Sequence, residues 1–127
     1  MTDRRETDQL LRELHAARVE GQLQRLCAVF AEDAVLRIAG TSEGKPIAIA
    51  ATGIEEIRSW LAMLVKAFRI TGYEASASVI EGPRAMISWR AQIHSKITGA
   101  VVATELVDMI EVRNGRISSY FELFVPR

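Results

Sequence analysis

From residue 72 onward the chain alternates apolar and polar residues, which is the pattern of strands that bury one face. Short turns that contain glycine divide this region into four predicted strands, at residues 72–80, 84–96, 101–113 and 116–125. The last turn is Asn114-Gly115, a dipeptide that favours the two-residue turn of a β-hairpin. Because short turns join antiparallel neighbours, we expect the four strands to pair in chain order as a meander.

Apolar residues earlier in the chain recur at the spacing of helices. A first helix is predicted over residues 3–20, with Gly21 as its stop, and a shorter second helix follows and ends in the segment 30–34. The third helix has the longest apolar stripe. We expect it to begin with a capping box at Thr52-Gly-Ile-Glu55, where side chains satisfy free backbone N–H groups.

Between the second and third helices the pattern predicts a short strand over residues 35–39. The segment 40–52 contains a turn at Glu43-Gly44, and Pro46 limits any strand there to the edge of a sheet. Helix, helix, strand, helix and meander is an α+β order. We therefore predict one domain, residues 1–127, in which a cone-shaped, curved antiparallel β-sheet of the meander and the short N-terminal strand packs against three helices.

Two acids occupy positions in the last two strands that the pattern assigns to buried faces. Asp108 shares its face with Leu106 and Ile110, and Glu122 shares its face with Tyr120 and Phe124, since alternate residues of a strand point the same way. If the two faces coincide, the carboxylates meet in one apolar hollow. One acid, with its pKa raised by burial, could then serve as acid and the other as base. Alternatively, each acid caps a backbone donor or pairs with an Arg or a His.

Other candidates for a ligand site are residues whose pattern directs them toward the predicted hollow. His15 continues the row of Leu11 on the first helix and could pair with either acid. Tyr120 has a phenol to donate to a ligand, or it fills the hollow. The remaining candidates are core or cavity-wall positions: Ile38, Trp60, Trp89, Leu106 and Phe124.

Composition excludes several classes of function. The 127 residues include 16 basic and 16 acidic ones, with no block of like charge, which argues against a nucleic-acid surface or a polybasic membrane patch. The single cysteine, Cys27, excludes an internal disulfide, and no Cys/His spacing typical of a metal site occurs. No apolar run suits a signal peptide or a membrane span, so a cytoplasmic protein without metal or cofactor is expected.

Three stretches together resemble the nuclear transport factor 2-like superfamily, which includes SnoaL-like proteins, ketosteroid isomerase and limonene-epoxide hydrolase. These stretches are Phe30-Ala-Glu-Asp-Ala34, Thr52-Gly-Ile-Glu-Glu-Ile57, and Val107-Asp-Met-Ile-Glu-Val112 with the hairpin that continues to Phe124. The resemblance implies the conical fold. It does not imply one reaction, because the superfamily is catalytically diverse.

In the ketosteroid isomerase pattern, an aspartate that Asp108 matches stays protonated in an apolar site and donates a hydrogen bond to the developing oxyanion. The isomerase general base aligns with Ile38, so that chemistry is not expected here. In the epoxide hydrolase pattern, the paired aspartates align with Asp108 and Glu122. Its aromatic residue two positions before the second aspartate aligns with Tyr120. Its arginine two positions before the first aspartate aligns with Leu106, and its water-orienting tyrosine and asparagine align with Leu36 and Ile38.

Two functional hypotheses remain. The first is a cofactor-independent SnoaL-like enzyme of isomerase, cyclase or epoxide-hydrolase type, acting on a small apolar molecule through Asp108 and Glu122. The second is a non-catalytic ligand-binding or assembly domain of the same fold. Apolar residues on the outer face of the meander, among them Met86, Met109 and Phe121, predict a homodimer through the sheet.

Overall fold

The structure, a computed structural model, describes residues 3–127 and contains three helices and six strands over that range. The helices are α1 (Arg4–Glu20), α2 (Leu23–Ala28) and α3 (Ile54–Ala67). The strands are β1 (Phe30–Ser42), β2 (Lys45–Thr52), β3 (Phe68–Glu81), β4 (Arg84–Ser95), β5 (Val101–Arg113) and β6 (Arg116–Pro126). None of the described helices is both long and apolar enough to cross a bilayer.

The strands form one curved, unclosed sheet in the order β2-β1-β6-β5-β4-β3, with the helices packed on one face. The predicted meander, β3 to β6, is confirmed, with antiparallel pairing in chain order. Asn114 and Gly115 both have positive φ, as the expected hairpin turn requires. The α+β class and the three helices are likewise confirmed.

The N-terminal part of the sheet differs from the prediction. β1 has 13 residues rather than five, and it pairs in parallel with β6, so the sheet is mixed. The segment 30–34, predicted as the end of the second helix, already belongs to the sheet, because Phe30 pairs with Ile117 and both side chains are buried. β2 is a sixth strand that the prediction did not define. It forms one edge of the sheet, as Pro46 requires.

The capping box predicted at the start of α3 does not form. The backbone of Thr52 ends β2 and pairs with Val35, so the helix begins one residue later with Gly53 as its N-cap. The carboxylate of Glu56, rather than that of Glu55, accepts a hydrogen bond from the Thr52 N–H at 3.0 Å. Thr52, which the local pattern assigned to the helix cap, is therefore the last residue of β2.

Helix α1 is fixed at both ends and lies across the helix-covered face of the sheet. The Asp3 side chain caps its first turn through the Glu6 N–H, and Gly21 ends it in the left-handed conformation. The Thr7 hydroxyl donates to the carbonyl of Gly82 at 2.7 Å, which joins the helix to the β3–β4 turn. These contacts determine which residues of α1 face the sheet interior.

Candidate functional site

The two acids predicted from strand alternation lie directly opposite each other. Asp108 on β5 pairs in register with Glu122 on β6, and both side chains point to the helix-covered face. Asp108 is 0% exposed and Glu122 is 1% exposed. The prediction that the two carboxylates share one buried face is therefore confirmed. Such burial is costly unless each charge is paired or neutralised.

Glu122 is paired with an arginine from helix α1. The guanidinium of Arg18 donates to both carboxylate oxygens, through Nη1 to Oε2 and through Nη2 to Oε1 at 2.8 Å. The Tyr120 hydroxyl donates to Oε2 at 2.6 Å and accepts from Arg18 Nη1 at 2.9 Å. The Glu122 carboxylate is thus held by a bidentate ion pair and a phenol, an arrangement that is strong and fixed in direction.

Asp108 is held by two neutral partners on one of its two oxygens. Oδ2 lies 2.8 Å from Nε2 of His15 and accepts a hydrogen bond from Nε1 of Trp89 at 3.0 Å. Oδ1 is buried and has no hydrogen-bond partner among the described residues. The other ring nitrogen of His15, Nδ1, lies 2.6 Å from the hydroxyl of Tyr73, which is half-buried on β3.

Burial shifts the protonation of all three central groups. It raises the pKa of Glu122 to about 7, an effect that the Arg18 charge opposes and the Asp108 charge reinforces. Burial likewise raises the pKa of Asp108, against the opposing influence of the neighbouring Glu122 carboxyl, of the Arg18 charge and of the Trp89 hydrogen bond. Burial and the Arg18 charge lower the pKa of His15 to about 4, so its imidazole is neutral at neutral pH.

The hollow predicted from the sequence is filled by side chains at the depth of the acids. Asp108 has no accessible surface, so no space as large as a water molecule lies against its carboxylate. Arg18 lies 5.5 Å from the ring centre of Trp89, and 15% of its side chain is exposed. Arg18 therefore lies between Glu122 and solvent.

The other predicted site residues fall into two groups. Ile38 and Leu106 are buried beside the acids, and Phe124 packs against both apolar clusters of the core. Trp89, expected as core or cavity wall, is buried and also donates a hydrogen bond to Asp108. Trp60 is 36% exposed and belongs to neither cluster, so of its two predicted places, core or cavity wall, the core is wrong. The apolar face of α3 is wider than the part of it that packs against the rest of the protein, and Trp60 lies at its exposed edge.

Sequence reasoning did not find Arg18. Its contact with Glu122 joins residues 104 positions apart, which no local pattern reports. One signal was available, because Arg18 follows His15 by three residues, and residues so spaced share a helix face. A basic residue on the face predicted to reach the hollow was thus a candidate partner for the acids.

Each acid is paired with an Arg or a His, as one of the two interpretations expected. The pairing is compatible with proton transfer, because the partners leave one carboxyl with a pKa of about 7. In residues 3–127, no three His, Cys, Asp or Glu side chains come together in an arrangement that could hold a metal ion.

Comparison with known proteins supports the fold and the family. The sequence pattern of the SnoaL-like domain matches residues 11–120. No curated protein matches the chain significantly in sequence.

Several solved structures are similar over most of the chain. A candidate isomerase from Bacillus subtilis superposes with a TM-score of 0.82 at 21% identity, covering 98% of this chain and 89% of its own. An LEH-like epoxide hydrolase from M. tuberculosis superposes with a TM-score of 0.73 at 13% identity, covering 94% of this chain and 82% of its own. A candidate polyketide cyclase from Xanthomonas campestris superposes with a TM-score of 0.73 at 17% identity, covering 94% of this chain and 90% of its own. At these identities the similarity is one of fold.

Proposed function

The chain belongs to the SnoaL-like domain family, and from this premise we propose that it is a cofactor-independent enzyme that moves protons on a small apolar substrate. The observation that supports the proposal is the opposed, fully buried pair of Asp108 and Glu122. A structural core gains nothing from two such acids, since apolar residues of the same volume are often at least as stable. A site that exchanges protons needs them.

The partners of the acids suggest their roles. Glu122 is the base, because Arg18 stabilises its charged form while burial keeps its pKa at about 7. A general base is most effective when its pKa lies close to the pH at which the enzyme works. Asp108 is the acid, because its partners His15 and Trp89 are neutral and burial raises its pKa. Arg18 lies beside both and would stabilise negative charge that develops on the substrate.

The wall beside Glu122 favours isomerisation or cyclisation over hydrolysis. Leu36 and Ile38 on β1 are the register neighbours of Tyr120 and Glu122, and both are buried. These are the positions at which the epoxide hydrolase pattern has its water-orienting tyrosine and asparagine. Because these two positions are apolar, β1 offers no group that could orient a water molecule for attack, and we expect the base to take a proton from carbon instead.

The apolar surroundings also define the class of substrate. Rows of apolar side chains flank the acids on the inner face, including Ile87, Leu106 and Ile110. A substrate must displace Arg18 from its position over Trp89 to reach Glu122. We expect a small, mostly apolar ketone or unsaturated compound whose oxygen replaces Glu122 as a partner of Arg18.

Conservative removal of each acid tests the proposal. Asp108→Asn and Glu122→Gln should each lower turnover by at least about a hundredfold, because general acid–base groups contribute roughly 10²–10⁴-fold. Turnover would be measured by mass spectrometry and proton–deuterium exchange on a panel of small ketones and epoxides. Glu105→Gln, on the exposed face of the same strand as Asp108, is the matched control and should retain full turnover.

The closed interior favours one alternative, a non-catalytic binding or assembly domain, because the acids have almost no accessible surface. In that case Arg18, His15 and the acids only stabilise the cone. Wild-type protein that binds an apolar probe yet leaves its α-protons unexchanged would support this alternative and reject the enzyme.

A further inference from the structure

A continuous line of hydrogen bonds runs from Tyr73 to the buried acid. The Tyr73 hydroxyl lies 2.6 Å from His15 Nδ1, and His15 Nε2 lies 2.8 Å from Asp108 Oδ2. The phenol is half-buried, the imidazole is 4% exposed and the carboxyl is 0% exposed. The line therefore leads from near the surface to the most enclosed group of the site.

The neutral state of the imidazole couples the groups at its two ends. A neutral imidazole has one N–H, so it donates on one side and accepts on the other. When Asp108 is ionised, His15 must donate through Nε2 and accept the Tyr73 proton at Nδ1. When Asp108 carries a proton on Oδ2, the direction of both hydrogen bonds reverses.

We propose that Tyr73, His15 and Asp108 form a proton relay in which the imidazole changes tautomer without changing charge. Inward, the Tyr73 oxygen takes a proton from solvent as its own proton moves to Nδ1, and the Nε2 proton moves to Oδ2. One proton enters at the phenol and one appears on Asp108. Only O–H and N–H bonds form and break, so no oxidant, reductant or buried cation is needed.

The relay rests on the proposed function for its use, since it would reprotonate Asp108 after each turnover while substrate covers the site. Its geometry does not depend on that function. Other groups face the same space: Arg18 from α1, Glu122 and Tyr120 from β6, and Trp89 from β4. The Trp89 indole donates to Oδ2 in both states, which fixes that oxygen toward His15. The ring centres of Trp89 and Tyr73 lie 5.1 and 5.4 Å, respectively, from the centre of the His15 imidazole.

Nitrogen-15 NMR of the histidines in the substrate-free protein tests the relay. His94→Gln, on the opposite face of the sheet, assigns the two imidazoles without touching the site. Between pH 5 and 9 we expect His15 to stay neutral and to change from the Nδ1–H to the Nε2–H tautomer as pH rises. The change should follow the carbon-13 titration of the Asp108 carboxyl, and Asp108→Asn should abolish it.

A single His15 tautomer throughout this range, or a charged imidazole within it, overturns the relay, whether or not Asp108 titrates. Tyr73→Phe supplies a second measurement, because it keeps the ring and removes the outer hydroxyl. Exchange of the His15 N–H with water should slow about tenfold, which corresponds to roughly 1.4 kcal/mol of barrier. Unchanged exchange contradicts the route through Tyr73. Since these readouts need no substrate, they distinguish a failed relay from failed catalysis.

Discussion

At the scale of single residues, the site depends on how two buried acids are compensated. Arg18 supplies a positive charge to Glu122 from helix α1, whereas the epoxide hydrolase pattern has its arginine at the position of Leu106. Leu106 is instead a buried apolar residue packed with Trp89. The ion pair of Arg18 and Glu122 thus depends on where the guanidinium lies and not on which strand or helix carries it.

Removal of Arg18 alone should be costly and pH-dependent. We expect Arg18→Met to lower the free energy of unfolding by about 3–5 kcal/mol at pH 8, the usual cost of leaving a buried charge unpaired. Burial keeps the folded pKa of Glu122 above its unfolded value, so the protonated acid accumulates in the folded protein as pH falls. The loss should therefore shrink at pH 5. Urea unfolding at both pH values measures it.

Two further variants serve as controls for Arg18. The double variant Arg18→Met, Glu122→Met removes both charges and should recover most of the stability, since apolar pairs often replace buried ion pairs without loss. Arg12→Met, at an exposed pair with Asp8 on the same helix, should change stability by less than about 1 kcal/mol. Equal losses for the single and double variants would mean that packing, rather than charge, is the main contribution of Arg18.

At the scale of elements, the site depends on the parallel contact between β1 and β6. Gly40 pairs with Phe124, two residues beyond Glu122. A Cβ atom on Gly40 would lie 2.5 Å from the Phe124 carbonyl oxygen and 2.7 Å from its ring. Because the oxygen is backbone, the strand itself would have to shift. The absence of a side chain at residue 40 therefore maintains the strand spacing that holds Glu122 in place.

Gly40→Ala should therefore destabilise the protein by about 1–3 kcal/mol, as overpacked cores do. It should also shift the NMR resonances of the Glu122 carboxyl, because the displaced strand carries it. Thr41→Ala, at an exposed position of β1, is the matched control and should change stability by about 0.5 kcal/mol or less. If the thermal unfolding midpoint of Gly40→Ala equals that of the parent protein, β6 can shift without loss of stability and the prediction is wrong.

At the scale of the whole molecule, the outer face of the sheet carries a continuous apolar row. One residue from each of four neighbouring strands, β3 to β6, stands side by side in register: Val79, Met86, Met109 and Phe121. Val79 is 68% exposed and Met86 is 47% exposed. Leu123 and Val125 extend the apolar surface along β6. Contiguous apolar surface of this kind commonly marks a protein–protein interface.

We propose that a second copy of the chain covers this row. Met86→Lys with Leu123→Lys should convert a dimer into a monomer, because two lysines on each copy would be desolvated and brought close together across the symmetric interface. Light scattering after size-exclusion chromatography measures the mass. Ile97→Lys, at an exposed site in the β4–β5 turn, should leave the mass unchanged. A parent protein that is monomeric at micromolar concentration contradicts the proposal.

Local sequence patterns were sufficient to predict the three helices and the four strands of the meander. Alternation along β5 placed Asp108 on an apolar face, but the register of the Asn114-Gly115 turn alone would set Asp108 opposite Phe121. A one-residue register shift between Glu111 and Val112 brings Asp108 opposite Glu122. The row of Leu11 and His15 on α1 likewise made His15 a candidate for the interior, although a partly exposed packing residue was the alternative. The predicted features are local, since strand period, helix period and turn chemistry act between residues close together in the chain.

The contacts between distant residues depend on tertiary packing. The pairing of β1 with β6 is parallel and joins distant parts of the chain, so no turn motif in the sequence indicates it. This pairing also extends β1 back to Phe30. The partners of the acids are equally distant: His15 lies 93 residues from Asp108 and Arg18 lies 104 from Glu122. Their identity depends on the angle at which α1 crosses the sheet. That angle results from the packing of the whole core, which is a property of volumes and not of any local pattern.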